Sequence, residues 1–215
     1  MEAKRYQDLS RFGGTARGRA AWRAQLWWLF ETLFVQPTPQ YMFGWRRLAL
    51  ILFGAKIGKH VLIRPGVRVT YPWNLTIGDY VWIGDDVTLY SVAEISVGSH
   101  SVISQEAYLC AGTHDYRDVS FRFVSAPISI AGECWIGARA FIGPGVEVGH
   151  AAVIGAGSIV MKSVDAETIV AGNPAKVVGR RTVENSVMLP TEVQSDVVAE
   201  QALEKKHDWG WEDRE

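Results

Sequence analysis

The chain has 215 residues, 48% of them hydrophobic, and a formal net charge of −1 at pH 7. That balance supports a buried core and lacks the basic excess expected of a nucleic-acid binder. Two cysteines, Cys110 and Cys134, are too few for a disulfide framework and point to a reducing compartment.

Residues 1–54 read as a flexible and then helical segment. The charged start MEAKRYQDLSRFGG lacks the apolar run of a signal peptide, so none is expected. The first 20 residues are rich in Arg, Gly and Ala without periodicity, which predicts poor order. From Ala21 to Val35 the spacing predicts a helix with Trp22, Leu26, Leu29 and Leu33 on one side. Trp27, Trp28 and Phe30 widen its apolar surface. The apolar runs 24–30 and 48–53 both fall short of the ~20 residues a membrane span needs. Two roles fit this helix. It can cap an exposed sheet edge. It can also lie at a membrane interface with Arg19, Arg23, Arg46 and Arg47 facing anionic lipid.

From Ile57 an aliphatic residue recurs every six positions, with a break at TYPWN, a resumption at Ile77 and a two-residue slip at 95–96. The register fails again through HDYRDVSFRFVSAPIS, too long for a corner and too polar for an interior, which predicts an extruded loop over 114–129. The clearest tract follows: IAGECW IGARAF IGPGVE VGHAAV IGAGSI VMKSVD. Ile130, Ile136, Ile142, Val148, Ile154 and Val160 open its hexads; Cys134, Ala140, Val146, Ala152, Ser158 and Val164 hold the fifth place. A period of six suits neither an amphipathic helix nor a lone strand. It suits a triangular solenoid of ~18 residues per coil, with both aliphatic columns inside. The glycines in second place are expected at corners that need positive φ. The solenoid domain is bounded at 55–181 and closes at AGNPAKVVGRR. A polar tail, 182–215, follows, with a helix expected at 197–206.

The hexads together with AGTHDY, the loop and AGNPAKVVGRR resemble the acetyl-CoA-dependent sugar O-acetyltransferases of the hexapeptide-repeat family. The stretch RRLALILFGAKIGKHVLIRPGVRVTYPWNLTIGDYVWIGDDV is most similar to the colanic-acid branch, which acts in exopolysaccharide synthesis. The resemblance implies an all-β fold, a left-handed parallel β-helix with an N-terminal helical cap and a C-terminal extension. It also implies a cytoplasmic homotrimer, peripheral to the inner membrane if the N-terminal helix touches lipid. The acceptor would be a sugar or a lipid-linked oligosaccharide. His114 would be the general base that takes a proton from a sugar hydroxyl as it attacks the thioester of acetyl-CoA. Asp86, Asp115 and Tyr116 would meet the acceptor. Trp135, Ala138, Ala156 and Gly157 would line the pantetheine groove, with Lys162 and Arg180 on the phosphates.

The residues themselves leave duller roles open. His114 can begin a turn capped by Asp115, Asp86 can be a solvated corner carboxylate, and Trp135 can cover a vertex. Lys162 and Arg180 can be solvated charges. Among rival functions, a γ-carbonic-anhydrase-like zinc site needs three converging imidazoles. Histidines at 60, 100, 114, 150 and 207 show no such spacing, so no metal is expected. Serine, a nucleotide-sugar amine or a chloramphenicol-type xenobiotic remain alternative acceptors. A non-catalytic scaffold is opposed by the His114 loop.

Overall fold

The computed structural model of the protein describes residues 5–14 and 18–182. The chain divides into two units, Met1–Arg181 and Thr182–Glu215. Apart from Thr182 the second unit, with the helix expected at 197–206, lies outside the described residues.

Each hexad folds as one short strand and one corner. The first coil is β1 (Lys56–Ile57), β2 (Leu62–Ile63) and β3 (Arg68–Val69). The second is β4 (Leu75–Ile77), β5 (Trp82–Ile83) and β6 (Thr88–Tyr90). The third is β7 (Ile95–Val97), β8 (Val102–Ile103) and β9 (Tyr108–Cys110). A hairpin of β10 (Gly112–His114) and β11 (Phe123–Ser125) then leaves the prism. The fourth coil is β12 (Ile128–Ile130), β13 (Trp135–Ile136) and β14 (Phe141–Ile142). The fifth is β15 (Glu147–Val148), β16 (Val153–Ile154) and β17 (Ile159–Val160). A sixth coil opens with β18 (Thr168–Ala171) and ends when β19 (Lys176–Arg180) turns back against it, antiparallel. Otherwise the strands stack in parallel as three sheets, one per side of the triangle. Sheet A holds β1, β4, β7, β12 and β15; sheet B runs from β2 to β18 and β19; sheet C holds β3, β6, β9, β14 and β17.

The core is the pair of columns expected from the hexads. Ile130, Ile136, Ile142 and Ile154 are buried, as are Cys134, Ala140, Val146, Ala152 and Ser158. Each fully buried Ile contributes about 1.5–3 kcal/mol of transfer free energy, and the fifth column is small because it lies near a vertex. The irregular steps are corners at 70–74 and 91–94, where Tyr71, Pro72, Ser91 and Val92 are themselves buried. The second lies just before the slip expected at 95–96, because Ile95 still stacks in register between Leu75 and Ile128.

The reason for the second-place glycines differs from the expectation. Positive φ falls instead two residues further on, at His60, Tyr80, His100, Glu133 and Ala151 along one edge and Asp86, Glu106 and Arg139 along another. The glycines themselves are required by close stacking: a Cβ on Gly137 would meet Ala156 N and Ile154 O at 2.6 Å.

The open edge of the first coil is covered by α1 (Ala21–Phe30), a π-helical turn (Glu31–Val35) and α2 (Phe43–Leu52). Edge carbonyls left without a preceding coil accept from this cap. Trp27 Nε1 donates to Val69 O at 2.7 Å, Trp28 Nε1 to Thr70 O at 3.1 Å and Gln36 Nε2 to Val67 O at 2.9 Å. Arg46 Nε donates to Ile63 O at 2.7 Å and Arg47 Nε to Gly58 O at 3.0 Å. Glu31 Oε1 accepts from Val69 N at 3.0 Å. Blocking an edge this way prevents strand addition by another chain.

Two expectations are corrected here. Arg46 is 2% exposed and Arg47 is bonded to the first coil, so Arg46 does not face lipid and Arg47 is engaged within the fold. Among the described residues before 20, Leu9–Arg11 form a turn of 3-10 helix capped by Asp8, and Asp8 N donates to Val119 O at 2.7 Å.

Candidate active site

The excursion from the solenoid leaves at the corner between sheets C and A. Thr113 pairs with Val124, and His114 with Phe123. Ile128 and Ser129 already belong to β12, so the projecting segment ends at Pro127, before the expected limit of 129. Its tip is built from local bonds. Asp115 Oδ1 accepts from Arg117 N at 3.0 Å, and Asp118 Oδ1 accepts from Ser120 N at 2.8 Å. Arg122 bridges the two carboxylates at 3.5 and 3.6 Å. The Ser120 bonds, with Arg122 beside them, hold Asp118 below the usual carboxylate range.

His114 is half-buried at the base of this hairpin. Its Nδ1 lies 2.8 Å from Phe121 O. A carbonyl only accepts, so Nδ1 carries a proton, and in the neutral ring the lone pair is on Nε2. The ring stacks on Phe121 at 4.2 Å with planes 7° apart, and meets the edge of Phe123 at 5.3 Å. Phe121 has φ +52°, unusual for a bulky residue, and strain of this kind gathers at functional sites. Asp115 and Tyr116 follow His114 directly; Asp115 pairs with Arg122, and Tyr116 is exposed beside Arg117. Phe12, Phe121 and Phe123 were not singled out from sequence. The alternation of Phe121 and Phe123 around Arg122 was the available signal for a strand beside the histidine.

Cys110, four residues before His114, is a thiol rather than a nucleophile. Burial pushes its pKa up, and its Sγ donates to Gly112 O at 3.1 Å. Among the described residues, no three His, Cys, Asp or Glu side chains are placed to share a metal ion.

The other candidates lie elsewhere on the prism. Trp135 points outward from sheet B, 52% exposed, with its Nε1 donating to Ser104 Oγ at 2.9 Å. Gly157 N donates to Ala138 O at 2.8 Å, so Ala138, Ala156 and Gly157 continue from Trp135 around the corner between sheets B and C. A Cβ on Gly157 would meet nothing within 4 Å, and its φ of +68° favours glycine. This is open backbone beside an exposed indole, against which an extended chain can lie. Asp86 sits on the same B/C corner two coils earlier than Ala138 and is exposed. Lys162 lies at the C/A corner after β17, lining a cavity of about 500 Å³ with Met161, Asp165, Pro174 and Lys176. Arg180, on β19, pairs with Glu167 at 3.5 Å.

Within one chain these groups do not converge. His114 stands at the corner opposite sheet B, the face that carries Trp135. The structure brings together Trp135, Ala138, Ala156 and Gly157, and separately His114, Asp115 and Tyr116. It places Asp86 and Arg180 away from the corner of His114, whereas Lys162 shares that C/A corner two coils further along. The outer faces of the prism are unequal. Sheet A presents Lys56, Thr76, Ser96, Ser129 and Glu147, whereas sheet B presents Leu62, Trp82, Val102, Trp135 and Val153. Sheet C presents Arg68 and Thr88 in its first two coils and the half-buried Tyr108, Phe141 and Ile159 in the later ones, with Tyr90 beside them.

The sequence matches no known family profile. It is 49% identical over 177 residues to a protein of Escherichia coli provisionally named colanic acid biosynthesis acetyltransferase WcaF, across 81% of this chain and 97% of that protein. The fold is similar to that of a hexapeptide-repeat-containing acetyltransferase of Vibrio cholerae solved with acetyl-coenzyme A. The TM-score is 0.64 at 23% identity, covering 74% of this chain and 85% of that one. It is similar also to galactoside acetyltransferase in complex with coenzyme A, with a TM-score of 0.65 at 25% identity over 74% of this chain and 79% of that one. A six-residue repeat wound into a parallel solenoid, a histidine-bearing hairpin, and 49% identity across nearly the whole of one such protein lead to one assignment: the chain belongs to the hexapeptide-repeat acetyltransferase family, with its left-handed β-helix fold.

Proposed function

We propose that the protein transfers an acetyl group from acetyl-CoA to a sugar hydroxyl of an exopolysaccharide precursor. The observation that carries this reading is the bond from His114 Nδ1 to Phe121 O, which selects the tautomer whose Nε2 lone pair is available to act as a base. Nε2 takes the proton as the acceptor oxygen attacks the thioester carbonyl. It returns that proton to the departing thiolate, so one C–O bond forms and one C–S bond breaks. Such assistance is typically worth ~10²–10⁴ in rate. Asp86, Asp115 and Tyr116 are assigned to the acceptor. Trp135, Ala138, Ala156 and Gly157 are assigned to the pantetheine arm, and Lys162 and Arg180 to the phosphates. Acetyl-CoA supplies the activated acyl group.

The working unit is a homotrimer. Face B, apolar along its length, and face C, aromatic in its later coils, stand beside one polar face and suit a head-to-tail cyclic interface, in which face B of one copy meets face C of the next. This packing lets His114 of one protomer approach Trp135 of its neighbour, which a single prism forbids. The acceptor is a sugar or a lipid-linked oligosaccharide, met in the cytoplasm at the inner membrane face.

The test is acetyl-CoA consumption against a panel of sugars, sugar nucleotides, serine and chloramphenicol. Turnover with a sugar acceptor is expected. Turnover with chloramphenicol or serine alone would overturn the sugar assignment while leaving the chemistry at His114 in place.

A further inference from the structure

The N-terminal helix carries more apolar surface than capping uses. Ala24 and Trp27 face the first coil and are 0% exposed. The stripe formed by Trp22, Leu26, Leu29 and Leu33 points the other way, at 64%, 49%, 59% and 54% exposed. Capping therefore accounts for one face of α1 and leaves the other unexplained. Leu48 and Leu52 of α2 are exposed as well, and Leu52 shares a groove of about 270 Å³ with Trp22, Leu26, Arg19 and Arg23.

Charge selects the occupant. Between residues 18 and 54 the charged side chains are Arg19, Arg23, Glu31, Arg46 and Arg47. Arg46 is buried, Arg47 is bonded to the first coil, and Glu31 accepts from Val69 N inside the cap. The cations left exposed in this stretch are Arg19 and Arg23, and no exposed carboxylate lies between residues 18 and 54. Arg23 lies over the Trp22 ring at 5.7 Å. An apolar stripe with an indole at its margin and only cations beside it matches the boundary between anionic headgroups and acyl chains. No helix among the described residues is long and apolar enough to cross a membrane, so the contact is one of lying on the surface.

We propose that this outward face of α1, with the end of α2, docks on an anionic lipid bilayer. Headgroups meet Arg19 and Arg23, and acyl chains meet Trp22, Leu26, Leu29 and Leu33. The proposal extends the reading of a membrane-presented acceptor and rests on that reading for its purpose. In a cyclic trimer all three copies present this face on the same side, so weak single contacts add.

The test uses the full chain and vesicles of phosphatidylcholine with or without phosphatidylglycerol, measured by co-sedimentation. Wild type is expected on the anionic vesicles, with binding weakened by salt. The double variant Leu26→Ser/Leu29→Ser should lose at least about tenfold in binding. Arg19→Glu/Arg23→Glu should abolish the preference for anionic vesicles. Both variants should keep the wild-type melting temperature and the wild-type turnover of a soluble sugar. Wild type that stays in solution, or variants that bind as well as wild type, would overturn the proposal. So would self-association of wild type that the leucine variant abolishes, which would make a second copy the occupant. Loss of sugar turnover in every form, with vesicle binding intact, would count against the catalytic reading alone.

Discussion

Phe12 and His114 lie with ring centroids 5.6 Å apart and planes inclined at 47°. The contact joins the N-terminal segment to the hairpin of the third coil, and the bond from Asp8 N to Val119 O holds the segment there. His114 is thus enclosed by Phe12, Phe121 and Phe123, while its Nδ1 is engaged by Phe121 O.

Phe12 is expected to position the imidazole. Aromatic pairs are worth about 0.5–1.5 kcal/mol beyond their buried area, so Phe12→Ala should lower kcat by roughly 2- to 10-fold. The melting temperature should change little, since Phe12 is part-exposed at the margin of the fold. Phe12→Leu, equally apolar but without a ring to pack, should recover only part of the rate. Steady-state kinetics on the two variants check this.

Arg46 is the least replaceable residue of the cap. It donates to Ile63 O, Thr38 Oγ1, Pro39 O and Gln40 O at 2.7–3.0 Å from a position 2% exposed. Arg46→Met keeps much of the volume but strands the buried Ile63 carbonyl and loses the part-buried bonds to residues 38–40, at a cost of about 3 kcal/mol. For a domain of this size the melting temperature should fall by roughly 6–12 °C, read by calorimetry.

Glu31 makes cap stability depend on pH. Burial raises its pKa from 4.5 to about 7, against the lowering effect of the bond from Val69 N. Between those values the folded state binds more protons than the unfolded one, so stability is greatest below 4.5 and falls as pH rises through about 7. The penalty above that is up to about 3 kcal/mol. Glu31→Gln keeps an acceptor for Val69 N without the charge. It should raise the melting temperature by roughly 5–10 °C at pH 8 and by little at pH 4.5, in paired melts of variant and wild type.

Trp135 and His114 are assigned to one site supplied by two protomers. Trp135→Ala should raise KM for acetyl-CoA, and His114→Ala should abolish turnover. Co-expressed in equal amounts, the two inactive or impaired chains should form mixed trimers in which about one quarter of the sites are intact. Recovery of that fraction of turnover supports a shared site; no recovery places both groups within one protomer.

The solenoid was legible because its inward columns repeat without exception from Ile130 to Val164, each position repeating the demand of the one below. The hairpin was legible only as a break in register, since 114–127 is polar and its two strands are too short to show alternation. What holds His114 was hidden for another reason. Phe12 is distant in sequence, and Phe121 acts through its backbone carbonyl, which no side-chain pattern reports. Along α1 and the π-helical turn the most regular apolar stripe, Trp22 to Leu33, is the outward one, while Trp27 and Trp28 cap the prism through indole N–H bonds. The glycine positions were legible, but their cause, contact with the next coil, needed the stacking distance to be seen.

The most direct measurement is kcat/KM for acetyl transfer to a sugar acceptor in wild type and His114→Ala, with melting temperature as the control for folding. A loss of at least ~10² is expected in a variant that melts like wild type. Turnover retained by that variant would contradict it, removing His114 from the chemistry and leaving the hairpin without a catalytic role.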